Sequence, residues 1–229
     1  MAALSSARAR AFVRRETRLK PVPDVPGLSL HLADDVTLLW HRVGEFLGDP
    51  DPALPYWAFT WSGGLALARH LLARPEEVAA RTVLDLGAGS GLGAIVALRA
   101  GASSAHAVDV DPLAEAAVAV NARASRVRIR FSGADLLDDA PPTVDVVLAG
   151  DVSYEETMAK RMLAWLRSAA DAGSRVLIGD PGRRYLSSGL EPVATYNVHS
   201  SREVEKLEVT PATVFTIQSR PVAPNGARK

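Results

Sequence analysis

The chain has 229 residues, with Lys plus Arg and Asp plus Glu at 26 each, 48% hydrophobic and 23% charged residues, and no cysteine. Such a length buries a full core in one α/β domain, and the composition is globular. The charge balance argues against a nucleic-acid substrate, and the missing thiol excludes disulfides, cysteine nucleophiles and cysteine-ligated zinc.

Residues 5–20 read as a helix carrying Arg8, Arg10, Arg14 and Arg15. A basic start without acids is also how a mitochondrial transit peptide reads, so the expected compartment is cytoplasmic, with the mitochondrial matrix as the alternative. No apolar run approaches a membrane span and there is no signal-peptide core, so a soluble protein is expected. Pro21, Pro23 and Pro26 force an extended connector before a short strand at 28–32. Asp34 or Asp35 can cap a helix whose apolar residues Val36, Leu39, Trp40, Val43 and Leu47 recur at helical spacing. The stretch 54–64, L-P-Y-W-A-F-T-W-S-G-G, gathers four aromatics in a chain only 6% aromatic, just before a helix at 65–72. It reads either as a hydrophobic plug or as a ligand wall, with Trp61 and the Ser62-Gly63 backbone against the ligand and Trp57 at the entrance.

Residues 83–93, V-L-D-L-G-A-G-S-G-L-G, read as a buried strand, a tight turn and the start of an Ala-rich helix. Asp85 precedes the turn; Gly87, Ala88, Gly89 and Gly91 form it, letting a ligand lie on the main chain beside helix N–H groups. The third glycine of a dinucleotide G-x-G-x-x-G fingerprint would fall on Leu92, so the spacing fits a nucleoside without a pyrophosphate. A second strand at 105–109 ends in Asp109, about 20 residues on, where an acid accepts from ribose hydroxyls, with Val110 against the base. Asp111 is the alternative ribose acid, although Asp111-Pro112 also reads as the cap of a helix at 113–124. After a third strand at 127–131, Asp135 with Leu136 is placed for the adenine edge, with Asp138 and Asp139 as rivals.

A fourth strand at 144–150 closes on Gly150 and is followed by D-V-S-Y, which puts Asp151 and Tyr154 on one loop suited to holding an amine. Asp151 can instead cap a helix at 155–170. A fifth strand at 175–179 opens into D-P-G-R-R, whose Arg183 and Arg184 face either an acidic partner surface or solvent. Strands at 192–198 and 213–218 form an antiparallel hairpin, with 203–209 as a further strand and a frayed tail from 220. The five histidines show no metal-ligand spacing, so no metal is expected.

The G-x-G-x-G loop resembles the S-adenosylmethionine loop of the seven-strand Rossmann-like methyltransferases. Taken with L-P-Y-W-A-F-T-W-S-G-G-L-A-L-A-R-H-L-L, D-V-D-P, G-D-V-S-Y, L-I-G-D-P-G-R and the N-terminal L-S-L-H-L-A-D-D, the chain is similar to the lysine methyltransferases of the electron transfer flavoprotein β-subunit over about 23–217. The resemblance implies a mostly parallel seven-stranded sheet ending in an antiparallel hairpin, an extension at 1–53, a catalytic core at 54–219 and a tail at 220–229. It also implies S-adenosyl-L-methionine as cofactor, held by Trp61, Gly87, Gly89, Asp109, Asp135 and Leu136 and released as S-adenosyl-L-homocysteine. Asp151 and Tyr154 would serve the substrate lysine, the enzyme would be a monomer, and the substrate would be the flavoprotein subunit or, alternatively, a ribosomal protein. Nucleic-acid and small-molecule amino-methyltransferases are the rival classes; where the nucleic-acid group has two prolines between acid and aromatic, this chain has Val152 and Ser153.

Overall fold

The computed structural model describes residues 5–199 and 209–218. Its centre is a seven-stranded sheet of order β5-β4-β3-β6-β7-β9-β8. The parallel strands are β3 (Thr82–Leu86), β4 (Ser104–Val108), β5 (Arg130–Ser132), β6 (Val146–Gly150) and β7 (Arg175–Asp180). β8 (Glu191–His199) and β9 (Val209–Thr216) complete it as an antiparallel pair, β9 lying against β7. This is the sheet expected from the resemblance.

The parallel strands read as continuous apolar runs because both of their faces are covered. Val83, Val146, Leu148 and Leu177 pack with Leu65, Leu67 and Leu71 of α3 (Ser62–Ala73) and with Ile95 and Val96 of α4 (Leu92–Arg99). Their sequence neighbours Leu84, Val147, Val176 and Ile178 point the other way, onto Trp165, Leu166 and Ala169 of α6 (Glu156–Asp171). From β3 the chain crosses to β4 on one side, and β6 lies on the other, so the strand order reverses at β3. That switch opens a crevice at the carboxyl ends of the strands.

The N-terminal elements lie over this crevice's flank. α1 (Ser6–Glu16) packs Phe12 and Val13 in one cluster with Leu39 and Val43 of α2 (Val36–Leu47) and Leu113 and Ala117 at α5 (Ala114–Ala124). The expected helix at 5–20 is cut short: Thr17 turns its N–H and hydroxyl back on the Val13 carbonyl, at 3.1 and 2.5 Å. Residues Arg18–Pro21 (β1) then pair antiparallel with Ser29–Leu32 (β2). The third core strand also starts later than expected, at Arg130, while Val127 and Ile129 pack against the core from a loop. β9 begins before Pro211 because its pairing with β7 starts only at Thr213, so the missing proline N–H falls where β8 alone is the neighbour. Of the strand expected at 203–209, only Val209 is among the described residues, and the tail from 220 lies outside them. No helix of the described residues is long and apolar enough to cross a membrane.

Candidate active site

The crevice is a cavity of about 350 Å³ lined by the β3 loop, the ends of β4 and β6, and the aromatic segment before α3. That volume lies within the range of small-ligand pockets.

Gly87, Gly89 and Gly91 have φ of 71°, 50° and 81°, the left-handed region that side chains other than glycine's resist. The turn is tied to its neighbour strand. Gly87 and Ala88 donate their N–H groups to the Val108 carbonyl at 2.9 and 3.0 Å, and Gly89 donates to Asp109 Oδ2 at 2.7 Å. Asp85 sits beneath the turn, buried, and accepts the Ala94 N–H at 2.8 Å from the first turn of α4. A Cβ at Gly93 would lie 2.7 Å from Asp85 Oδ1, so glycine is required there. Burial pushes the Asp85 carboxyl up to about 7, against the Ala94 hydrogen bond, and the charge of Asp109 adds to the rise.

Asp109 also accepts the Asp111 N–H, through Oδ1 at 2.9 Å; burial raises its pKa against these backbone hydrogen bonds. Val110 is exposed beside it on the cavity wall. Asp111 accepts the Leu113 N–H at 2.7 Å at the start of α5, and burial lifts it to about 6. Leu136 lines the wall beyond Asp109. Asp135 also lines it, but its carboxylate accepts the Leu137 N–H and pairs with Arg161 at 3.1 Å, and these hold it below the usual carboxylate range. Asp138 pairs with the same guanidinium.

The aromatic segment divides into two functions. Trp57 is 1% exposed and belongs to the cluster under α1 and α2, so it does not stand at the entrance as expected. The entrance is built instead by Tyr56, whose ring lies 5.4 Å from Trp61 and 5.2 Å from Tyr154. Trp61 Nε1 fixes the arrangement by donating to the Tyr56 carbonyl at 3.1 Å. Burial pushes the Tyr154 phenol up, with Tyr56 and Asp109 adding to the shift.

Asp151 follows Gly150 with φ 59°, a left-handed conformation uncommon for aspartate. It does not cap α6; Glu155 does, accepting from Thr157 and Met158 at 2.8 and 2.7 Å. Asp151 reaches across to the start of α3, which has no side-chain cap of its own, and accepts the Gly64 N–H at 2.7 Å and the Gly63 N–H beside it. The positive end of α3 therefore rests on this carboxylate. Its other oxygen pairs with Arg183, which turns into the cavity rather than outward to a partner or to solvent. Burial lifts Asp151 to about 6 against that guanidinium. Arg184 is the outward member of the pair, over the Tyr185 ring.

One residue that the sequence reading passed over completes the site. Asn121 of α5 is fully buried, accepts the His31 N–H at 2.7 Å and donates to the Ser90 carbonyl at 2.9 Å. It joins the β1–β2 ribbon to the glycine turn. Its only trace in the sequence is a polar side chain amid the small apolar residues of V-A-V-N-A-R-A.

Among the described residues the lining carries five aspartates, Asp85, Asp109, Asp111, Asp135 and Asp151, against one cation, Arg183. Such a wall rejects pyrophosphate and suits a nucleoside bearing positive charge. The residues present fit S-adenosylmethionine.

The topology and this crevice define a Rossmann-like methyltransferase. A family model, "Ribosomal protein L11 methyltransferase (PrmA)", matches residues 67–152. A solved structure assigned as an RNA methyltransferase from Pyrococcus horikoshii shares the fold, with a TM-score of 0.55 at 15% identity over 75% of this chain and 91% of that one. An electron transfer flavoprotein beta subunit lysine methyltransferase from Xenopus laevis is 34% identical over 216 residues, covering 91% of this chain and 87% of the relative. The Danio rerio protein of the same name is 36% identical over 203 residues, covering 86% and 78%. The chain belongs to the electron transfer flavoprotein beta subunit lysine methyltransferase family.

Proposed function

We propose that the chain methylates lysine side chains of the electron transfer flavoprotein β-subunit with S-adenosylmethionine. The observation that supports this reading is that one cavity is lined by Asp109, Val110 and Leu136, which suit a nucleoside, and by Asp151 and Tyr154, which suit an amine. The chain's family membership directs it to the flavoprotein subunit. The match to the ribosomal-protein methyltransferase model covers residues 67–152, the whole nucleoside end and Asp151 but not Tyr154, so it speaks for the cofactor rather than for a ribosomal substrate.

S-adenosylmethionine, when bound, supplies a methyl group on a sulfonium; its S–C bond breaks as an N–C bond forms to the amine, leaving S-adenosylhomocysteine and a methylammonium. Only a neutral amine can attack, and a lysine with a pKa near 10.4 must first release a proton to water. The protein's task is alignment and desolvation. Asp109 is positioned to accept from ribose hydroxyls, and Asp85 lies buried under the turn at the end where positive charge belongs. Tyr56, Trp61 and Tyr154 form an aromatic collar that keeps water from the reacting end. Asp151, fixed by α3, accepts an N–H of the amine and aims its lone pair.

The test incubates the purified protein with labelled S-adenosylmethionine and purified flavoprotein β-subunit, and maps the label by mass spectrometry. Methyl-lysine on the subunit, lost in Asp151→Ala while cofactor binding persists, is expected. Label confined to a ribosomal protein, to nucleic acid or to small amines in a cell extract would overturn the substrate assignment.

A further inference from the structure

The Asp151 carboxylate is enclosed on two sides. Oδ2 takes the N–H of Gly64, the Gly63 N–H also donates to the carboxylate, and Oδ1 takes the Arg183 guanidinium. Arg183 is delivered there by a built turn. Asp180, fully buried at the end of β7, accepts the Gly182 and Arg183 N–H groups through Oδ1, both at 2.7 Å, and Gly182 supplies φ 88°. Among the described residues Asp180 Oδ2 has no hydrogen-bond partner, and it lies 4.0 Å from the same guanidinium. The cation thus sits between two buried carboxylates, with its own side chain 19% exposed.

That position bears on the proton an incoming lysine must lose. A buried carboxylate without a counter-charge would hold the lysine as an ammonium and raise its pKa, opposing reaction. A guanidinium stays charged at every working pH, so it offsets the carboxylate throughout. Resting on the lysine-transfer reading above, we infer that Arg183 is a positioning residue for methyl transfer: it supplies the counter-charge of Asp151, so that this carboxylate receives the substrate lysine as a neutral amine.

The other groups facing this point do not replace it. The α3 amides and the buried Asp180 are fixed. Tyr56 and Tyr154 are neutral phenols held above their ordinary pKa by burial. Asp85 and Asp109, at the ends of β3 and β4, add negative charge to the cavity rather than offset it.

The test measures single-turnover methylation of the flavoprotein subunit from pH 6 to 10, with calorimetric affinity for the subunit in the presence of S-adenosylhomocysteine. In Arg183→Gln the rising limb of rate against pH moves up by about one unit or more. The rate at pH 7 falls about ten-fold and recovers in alkali, while subunit affinity at pH 7 is unchanged or tighter. Arg183→Lys, which keeps the charge, leaves the limb at its wild-type place. A loss that is the same at all pH values, a limb moving down, or Arg183→Lys behaving like Arg183→Gln would overturn the inference. Should Arg183→Gln fail to fold, Asp151→Asn decides: the guanidinium then stands alone and the limb moves to lower pH, and an unmoved limb refutes the role. A methylating wild type with an unmoved limb sinks this inference alone, whereas a wild type that methylates no subunit lysine sinks the reading beneath it and the inference with it.

Discussion

Gly63→Ala tests the packing on which the amine end is built. A Cβ at Gly63 would run into the carbonyl of Gly179 and lie 2.7 Å from Asp151 Oδ2. Neither neighbour can give way, because Gly179 is paired on both sides in β7, with Gly150 and Val214, and the carboxylate is pinned by the amides of α3. The helix must move outward instead, at about 1–3 kcal/mol for overpacking. Stretching hydrogen bonds to a charged acceptor adds about 1.5–3 kcal/mol. The combined loss of about 2.5–6 kcal/mol is a large part of the about 5–15 kcal/mol that holds an ordinary domain. At about 2–4 °C per kcal/mol for a chain of this size, the melting temperature falls by on the order of 10 °C. Gly64→Ala is the control: its Cβ would meet Asp151 and Leu92 at 3.8 and 3.9 Å, ordinary contacts, and alanine favours a helix by up to about 1 kcal/mol. Scanning calorimetry of the two variants separates them. Gly63→Ala melting within about 2 °C of wild type, or Gly64→Ala falling as far, would refute the backbone-to-backbone account of this junction.

Three further outcomes follow from the buried polar groups. Because the folded state lifts Asp85 from 3.8 to about 7, its contribution to stability is complete below 3.8 and is lost as pH rises through about 7. Wild type should therefore lose stability relative to Asp85→Asn between pH 5 and 8, by up to about 1.4 kcal/mol per pH unit, and parallel melting curves would exclude it. Asn121→Ala orphans the His31 N–H and the Ser90 carbonyl, and should cost about 2–4 kcal/mol in denaturant unfolding; a loss under about 1 kcal/mol would mean that water replaces the amide. Asp109→Ala should weaken S-adenosylmethionine binding at least about ten-fold by calorimetry, a change of about 1.4 kcal/mol, and wild-type affinity in that variant would remove Asp109 from the ribose.

The core was legible because the physics that buries it is local. Val83 and Leu84 serve opposite faces, and both must be apolar when helices cover both sides of the sheet. The glycine turn was legible because three successive alternate positions need positive φ. What escaped depends on partners distant in sequence. Tyr56 and Trp57 are adjacent aromatics, and only the turn they sit in sends one to the entrance and the other into the core. The partner of Asp135 is Arg161, 26 residues on, and Arg183 finds Asp151 32 residues back only through the Asp180 turn. That Asp151 stabilises α3 rather than α6 follows from the sheet bringing Gly150 beneath Gly64, where a Cβ at Gly150 would touch the Gly64 backbone at 3.1 Å. No pattern within either segment carries that adjacency.

The hydrogen bonds of the glycine turn have a thermodynamic consequence of their own. The N–H groups of Gly87, Ala88 and Gly89 are satisfied by the Val108 carbonyl and Asp109 within the protein itself. Their free energy belongs to the native state of the chain and cannot be counted again when a ligand arrives. Capture then costs little loop ordering, and affinity must come from contacts newly made along the cavity wall. Damage to the turn would thus register in melting before it registered in binding.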